Sequence, residues 1–141
     1  MQAEINRRQL LCGVALLSLG SIASLQSAEA ANGYKILKNG KVELDLAANS
    51  ALSKVGGVVR IDGVNSGAMA VVRTGKAATS YLALDLACTH QGFIVEKTGT
   101  GWTCPQHGAK FSATGKKVSG LANGPLKKLK LSVKGSKLTV G

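Results

Sequence analysis

The stretch CTHQGFIVEKTGTGWTCPQHG, residues 88–108, contains both histidines of the chain and two of its three cysteines. They fall into two short groups, Cys88-Thr89-His90-Gln91-Gly92 and Cys104-Pro105-Gln106-His107-Gly108, with 13 residues between His90 and Cys104. Each group offers one thiol and one imidazole beside a glycine, the residue that turns a backbone through positive φ without steric cost. Outward from this stretch the chain reads as β. Alternating or apolar runs at Lys41–Leu46, Val58–Ile61, Ala68–Arg73, Tyr81–Leu86, Phe93–Glu96, Leu126–Val133 and Lys137–Val140 are strand candidates. Asn39-Gly40, Gly56-Gly57, Asp62-Gly63, Thr74-Gly75-Lys76, Thr98-Gly99-Thr100-Gly101, Thr114-Gly115 and Lys134-Gly135 supply the turns between them. No helical period competes. The pattern predicts an all-β antiparallel sandwich or barrel, with the strand alternation pausing between Ala87 and Pro125, where functional loops are expected on a rigid base.

The composition narrows the chemistry. The chain has 141 residues, 18 Lys+Arg against 7 Asp+Glu, 18 glycines and 4% aromatics, which bounds it to one small basic domain. No G-x-S-x-G, Walker loop or G-x-G-x-x-G occurs, so hydrolase and nucleotide-binding readings have no anchor. The acids between Ala31 and Gly141 are scattered on strands without an obvious pair. Cys88, His90, Cys104 and His107 therefore carry whatever reaction chemistry exists. A Cys88–Cys104 disulfide is one use, closing a loop of about 15 residues worth roughly 3 kcal/mol, but it does not explain why both histidines accompany the cysteines. Two metal assignments do: a structural zinc with two thiolates and two imidazoles, or a [2Fe-2S] cluster with the thiolates on one iron and the imidazoles on the other. Zinc sites usually pair like ligands within a loop, whereas each loop here mixes them.

The pattern C-x-H-x-G followed by C-P-x-H-G, met by Cys88, His90, Gly92 and by Cys104, Pro105, His107, Gly108, resembles the Rieske iron–sulfur family. The likeness extends from about Lys54 to Val140: Phe111 with Gly115 resembles the aromatic-then-glycine run after the second ligand loop, and Gly120-Leu121-Ala122-Asn123-Gly124-Pro125-Leu126 resembles the proline loop over the cluster. It implies a β sandwich or barrel base with a small cluster-binding subdomain. It also implies one [2Fe-2S] cluster, Cys88 and Cys104 holding the inner iron and His90 and His107 the outer iron, where electrons enter and leave. Backbone N–H groups around Gly92 and Gly108 are expected to approach the cluster sulfides. Phe93 and Gln106 stand where respiratory members bridge the loops with cysteines, so Phe93 is expected to pack between the loops instead. Ala109 and Phe111 stand where those members have hydroxyl donors, with Thr89, Thr103 and Ser112 as the candidate replacements. Fewer donors lower the reduction potential. An oxygenase would need a further iron held by histidines and a carboxylate, and both histidines are already used.

The first thirty residues read as an export signal. Arg7 and Arg8, the uncharged segment from Leu10 to Leu25, and Ala28-Glu29-Ala30 fit a leader of twin-arginine type cut near Ala30, leaving residues 31–141 as the mature domain. A Sec leader, or an anchor through residues 10–25, is the alternative. The apolar run is diluted by Ser18, Gly20, Ser21 and Ser24 and falls short of the roughly 20 residues a span requires. Because the resemblance implies a cluster assembled before export, the folded-protein route and a periplasmic one-electron carrier support one another. The alternatives are the small subunit of a larger periplasmic oxidoreductase, arsenite-oxidase-like or quinol-oxidising, and, in another class, a zinc-stabilised binding domain. Lysines at 116, 117, 127, 128, 130, 134 and 137 alternate with Leu126, Leu129, Leu131 and Val133, as on a solvated strand face. The net charge of +11 also suits an acidic redox partner. Nucleic acid is disfavoured, since no aromatic platform interleaves the lysines.

Overall fold

The computed structural model describes residues 33–141. The expectations placed on residues 1–30, the leader and the anchor alternative, lie outside that range.

The described residues form three antiparallel sheets of four strands each. The first sheet orders β1 (Tyr34–Ile36), β2 (Val42–Asp45), β12 (Lys137–Val140) and β11 (Leu131–Lys134). The second orders β10 (Lys128–Leu129), β5 (Tyr81–Asp85), β4 (Gly67–Arg73) and β3 (Val58–Val64), and the third is a meander of β6 (Glu96–Thr98), β7 (Gly101–Thr103), β8 (Lys110–Phe111) and β9 (Lys117–Ser119). One 3-10 turn, Ser50–Ser53, precedes β3 and buries Leu52.

β4 explains why the sheets stack. Its residues Ala68, Met69, Ala70, Val71 and Val72 are all buried, which a strand can achieve only when both faces are covered. Successive side chains point to opposite faces. Met69 and Val71 therefore join Val42, Leu44, Leu138 and Val140 of the first sheet in one core, with Ile61, Ala83 and Leu52. Ala68, Ala70 and Val72 join Leu84, Leu86, Trp102, Phe111 and both cysteines in the other core. The second sheet is thus the middle layer, and the cysteines belong to the core on its far side. Trp102 serves as the anchor of that core: it is buried and pairs across strands with Lys97 and Phe111.

Arg73 closes the end of β4. Its guanidinium donates to the carbonyls of Leu52, Gly75 and Lys76 and to the Tyr81 hydroxyl, and it lies over the Tyr81 ring at 4.8 Å. One cation thereby ties the 3-10 turn to the β4–β5 loop.

The all-β fold agrees with the sequence reading, with local differences. Asp62-Gly63 is not a hairpin turn: Gly63, at φ 82°, lies in β3 where the register shifts, and the chain reverses after Val64. The run Leu126–Val133 divides at Lys130, so that β10 pairs in the second sheet and β11 in the first. Phe93–Glu96 is mostly loop, held by an Ala87–Ile94 bridge, and β6 begins only at Glu96. The pause between Ala87 and Pro125 holds the whole third sheet. Its strands are two or three residues long, too short for an alternating pattern to show.

The expected consequence concerns Leu84, fully buried between the second and third sheets. Leu84→Ala should lower unfolding stability by about 2–5 kcal/mol in a denaturant titration, and an unchanged midpoint would contradict this packing.

Candidate metal centre

The two Cys/His groups fold as equivalent turns. In the first, the Cys88 N–H donates to the Phe93 carbonyl at 2.8 Å and the Gly92 N–H to the Cys88 carbonyl at 2.8 Å. In the second, the Cys104 N–H donates to the Ala109 carbonyl at 2.8 Å and the Gly108 N–H to the Cys104 carbonyl at 2.9 Å. Gly92 and Gly108 have φ of 76° and 70°, and an added Cβ at either would meet nothing within 4 Å. Backbone conformation, not lack of room among the protein atoms, is what asks for glycine at these sites.

Both turns start from a buried cysteine and lift a half-buried histidine towards the surface. Cys88 is 3% exposed and Cys104 fully buried, and both are free thiols, so the disulfide alternative does not form. Burial pushes the Cys88 thiol above its ordinary value, and the adjacent Cys104 thiol pushes the same way. The N–H groups of His90 and Gln91 point at the Cys88 sulfur and pull it down. On the first loop the Gly92 N–H closes the turn, and the His90 and Gln91 N–H groups face the cysteine sulfur. Two thiols packed together in an apolar core suit a group that takes them as thiolates and spreads their charge over a metal.

The imidazoles form a separate pair. The His90 and His107 Nδ1 atoms face one another at 3.3 Å, with ring planes at 88°. A tetrahedral ion bonded to two imidazole nitrogens at about 2.0–2.1 Å holds them about 3.3–3.4 Å apart, so the pair fits one ion as it stands. Among the described residues no three His, Cys, Asp or Glu side chains converge on a single ion position. A lone tetrahedral zinc would need all four together. Thiols paired in the core and imidazoles paired at its edge suit a two-metal group that separates the ligand types.

A third loop, Gly120 to Leu126, packs over both turns. The Thr89 hydroxyl donates to the Gly124 carbonyl at 2.8 Å, and the Asn123 amide donates to the Thr89 carbonyl at 2.9 Å. Gly120, at φ 92°, lies so close to the second turn that a Cβ there would come within 2.6 Å of Ala109 Cα. Asn123 was not singled out by sequence, because its partner lies 34 positions away and no local pattern marks it. Among the candidate replacement hydroxyls, Thr89 donates to the Gly124 carbonyl, Thr103 pairs with Thr98 at 2.6 Å, and Ser112 pairs with Thr114 and accepts from the Lys116 N–H.

Phe93 packs against the second turn as expected. Its ring meets His107 with centroids 5.8 Å apart. The lysines of the last quarter are exposed, and none lies within the two turns.

The sequence model described as "Rieske [2Fe-2S] domain" matches residues 44–130. The cytochrome b6-f complex iron-sulfur subunit of Chlorobaculum tepidum is 32% identical over 102 residues, 71% of this chain and 55% of that one. Carotenoid phi-ring synthase of the same organism is 38% identical over 72 residues, 50% of this chain and 11% of that one. Among solved structures, the cyanobacterial plasma membrane Rieske protein of Synechocystis PCC 6803 superposes with a TM-score of 0.52 at 30% identity, covering 66% of this chain and 94% of that one. The chain spans about half the length of the iron-sulfur subunit it matches.

The loop contacts lead to a direct expectation. Asn123→Ala removes one hydrogen bond of about 1 kcal/mol, so amide exchange of the first turn and of residues 120–126 should accelerate about fivefold. Unchanged exchange there would show that the third loop does not brace the first.

Proposed function

The chain belongs to the Rieske [2Fe-2S] domain family, and from that premise we propose that it passes one electron at a time between redox partners through the surface formed by His90 and His107. Its cofactor is one [2Fe-2S] cluster. When bound, the cluster supplies a one-electron couple. Cys88 and Cys104 would hold one iron from within the core, and His90 and His107 would hold the other at the edge. The segregation of the two ligand pairs carries this reading: thiols buried at 3% and 0% exposure, imidazoles half-buried with Nδ1 atoms 3.3 Å apart.

The chain's own residues set the energetics. Trp102, Phe111 and Ala109 pack in one core with the cysteines and present no hydroxyl. The His90 and Gln91 N–H groups favour negative charge on Cys88, whereas the nearby hydroxyls bond elsewhere. Adding an electron makes the site more negative, so a shortage of donors disfavours the reduced state.

The partner meets a surface of Gln91, Gly92, Phe93, Pro105, Gln106 and Gly108, all exposed and uncharged. The chain's +11 charge would draw an acidic redox protein from a distance, with the close contact made by these uncharged residues. A second reading, the Rieske subunit of a larger quinol-oxidising complex, is favoured by the Chlorobaculum tepidum match, which is by name the iron-sulfur subunit of a cytochrome b6-f complex. For location we propose export to the periplasm by the twin-arginine route with a cut near Ala30, supported by Arg7, Arg8 and Ala28-Glu29-Ala30.

Protein-film voltammetry should show a one-electron wave in the lower half of the range from about −150 to +300 mV. A midpoint near the top of that range would refute the donor-poor account. Replacing Arg7 and Arg8 together with lysine should retain the full-length chain in the cytoplasm while leaving the wild type exported in a cell-fractionation experiment. Equal export of both would remove the twin-arginine route.

A further inference from the structure

Phe93 serves two loops with two different parts of itself. Its carbonyl accepts the Cys88 N–H at 2.8 Å and closes the first turn. Its ring leaves that turn and stands edge-on to His107 of the second, with centroids 5.8 Å apart and planes at 60°.

The second turn shows what the ring is not for. There the same backbone position is Ala109, whose carbonyl accepts the Cys104 N–H at 2.8 Å. A methyl group suffices to close that turn, so the phenyl group is not a folding requirement of the motif. Nor is Phe93 a core residue: 43% of it is exposed, and it belongs to neither apolar core. What the ring adds is its contact with His107.

His107 needs such a contact. Its Nδ1 faces His90, and its plane stands at 88° to that of His90. The rest of the ring is half-buried and touches the edge of solvent. An imidazole fixed only through one nitrogen can swing about that bond, and an apolar neighbour on its flank limits both the swing and the access of water. An aromatic pair at this separation and tilt is attractive beyond simple area burial.

We propose that Phe93 is a positioning residue for His107: its ring fixes the plane of the imidazole and keeps water from the outer side of the metal site. This rests on His107 being a ligand, as argued above. Two effects follow from removing the ring. Water and chelators reach the imidazole–metal bond more easily, so the cluster is lost faster. Water also stabilises the additional negative charge of the reduced state, so the midpoint moves to more positive potential.

The test uses the purified cluster-loaded chain, with bleaching by excess EDTA followed by absorbance and the midpoint read by voltammetry. Phe93→Ala should bleach about 10- to 100-fold faster than the parent, the range for losing an outer-shell partner of a metal ligand, and its midpoint should be more positive. Phe93→Tyr should match the parent in both readouts, and Phe93→Leu, apolar but not aromatic, should fall between. Val55→Ala, which removes an exposed apolar side chain outside the metal site, should leave both values unchanged. Parent-like bleaching and midpoint in Phe93→Ala would overturn the proposal. If Phe93→Ala assembles no cluster, Tyr and Leu variants carry the comparison, and identical behaviour of both with the parent would overturn it. His107→Ala separates the two levels of the argument. Loss of the cluster in that variant upholds the ligand assignment whatever Phe93 does, and retention of the cluster sinks that assignment and this proposal with it.

Discussion

Two cysteines lie in the core of this protein without bonding to each other, and the metal-site end of the molecule is arranged around that constraint. Burial holds the Cys88 thiol above its ordinary range, and the adjacent Cys104 acts in the same direction, so Cys88 is stabilised as a thiolate when something positively charged takes it. The fold brings this about with one device used twice. A cysteine enters from a strand or bridge, its N–H and carbonyl close a turn against a residue five and four positions later, and a histidine is lifted at the top of the turn. The two turns share their closing hydrogen bonds, although the histidine follows its cysteine by two positions in one and by three in the other, and together they give a buried pair of thiols and a half-buried pair of imidazoles. That sorting suits a two-iron group better than a single zinc ion.

The three-layer stack makes the buried end possible. Because β4 and β5 are covered on both sides, the cysteines sit over a floor of Ala68, Ala70, Leu84 and Leu86 that is braced from beneath by the first sheet. The small side chains at Ala68 and Ala70 leave room on the metal-site face, while Met69 and Val71 fill the other. Over the top, the Gly120–Leu126 loop is pinned to the first turn through Thr89 and Asn123 and laid against the second through Gly120. The site is thus held from below by packing and from above by hydrogen bonds.

Much of this was legible in the residues. Strands longer than three residues announced themselves by alternating or continuous apolar runs, and the four ligand candidates by the coincidence of every histidine with a cysteine. The third sheet was not legible, because strands such as Lys110–Phe111 span no more than one or two periods of the pattern and owe their pairing to Trp102 and Phe111 packing in the core. Gly63 looked like a turn because Asp-Gly favours one, yet tertiary pairing of β3 with β4 absorbed it as a register shift. At the site, the four ligand candidates could be named from the sequence, whereas the contacts that support them could not. The turn towards Cys88 made by the His90 and Gln91 N–H groups is a backbone property that no side chain advertises. Asn123 becomes meaningful only once the fold brings it beside Thr89, 34 positions away.

Cys88, His90, Cys104 and His107 are proposed to hold a two-iron, two-sulfide group in separated ligand pairs. Metal and acid-labile sulfide analysis of the purified chain, with EPR after one-electron reduction, tests it most directly. The account predicts two irons and two sulfides per chain and a reduced-state spectrum of a [2Fe-2S] centre with nitrogen ligands, which is lost when His90 or His107 is replaced. A colourless, EPR-silent protein containing one zinc ion would contradict it.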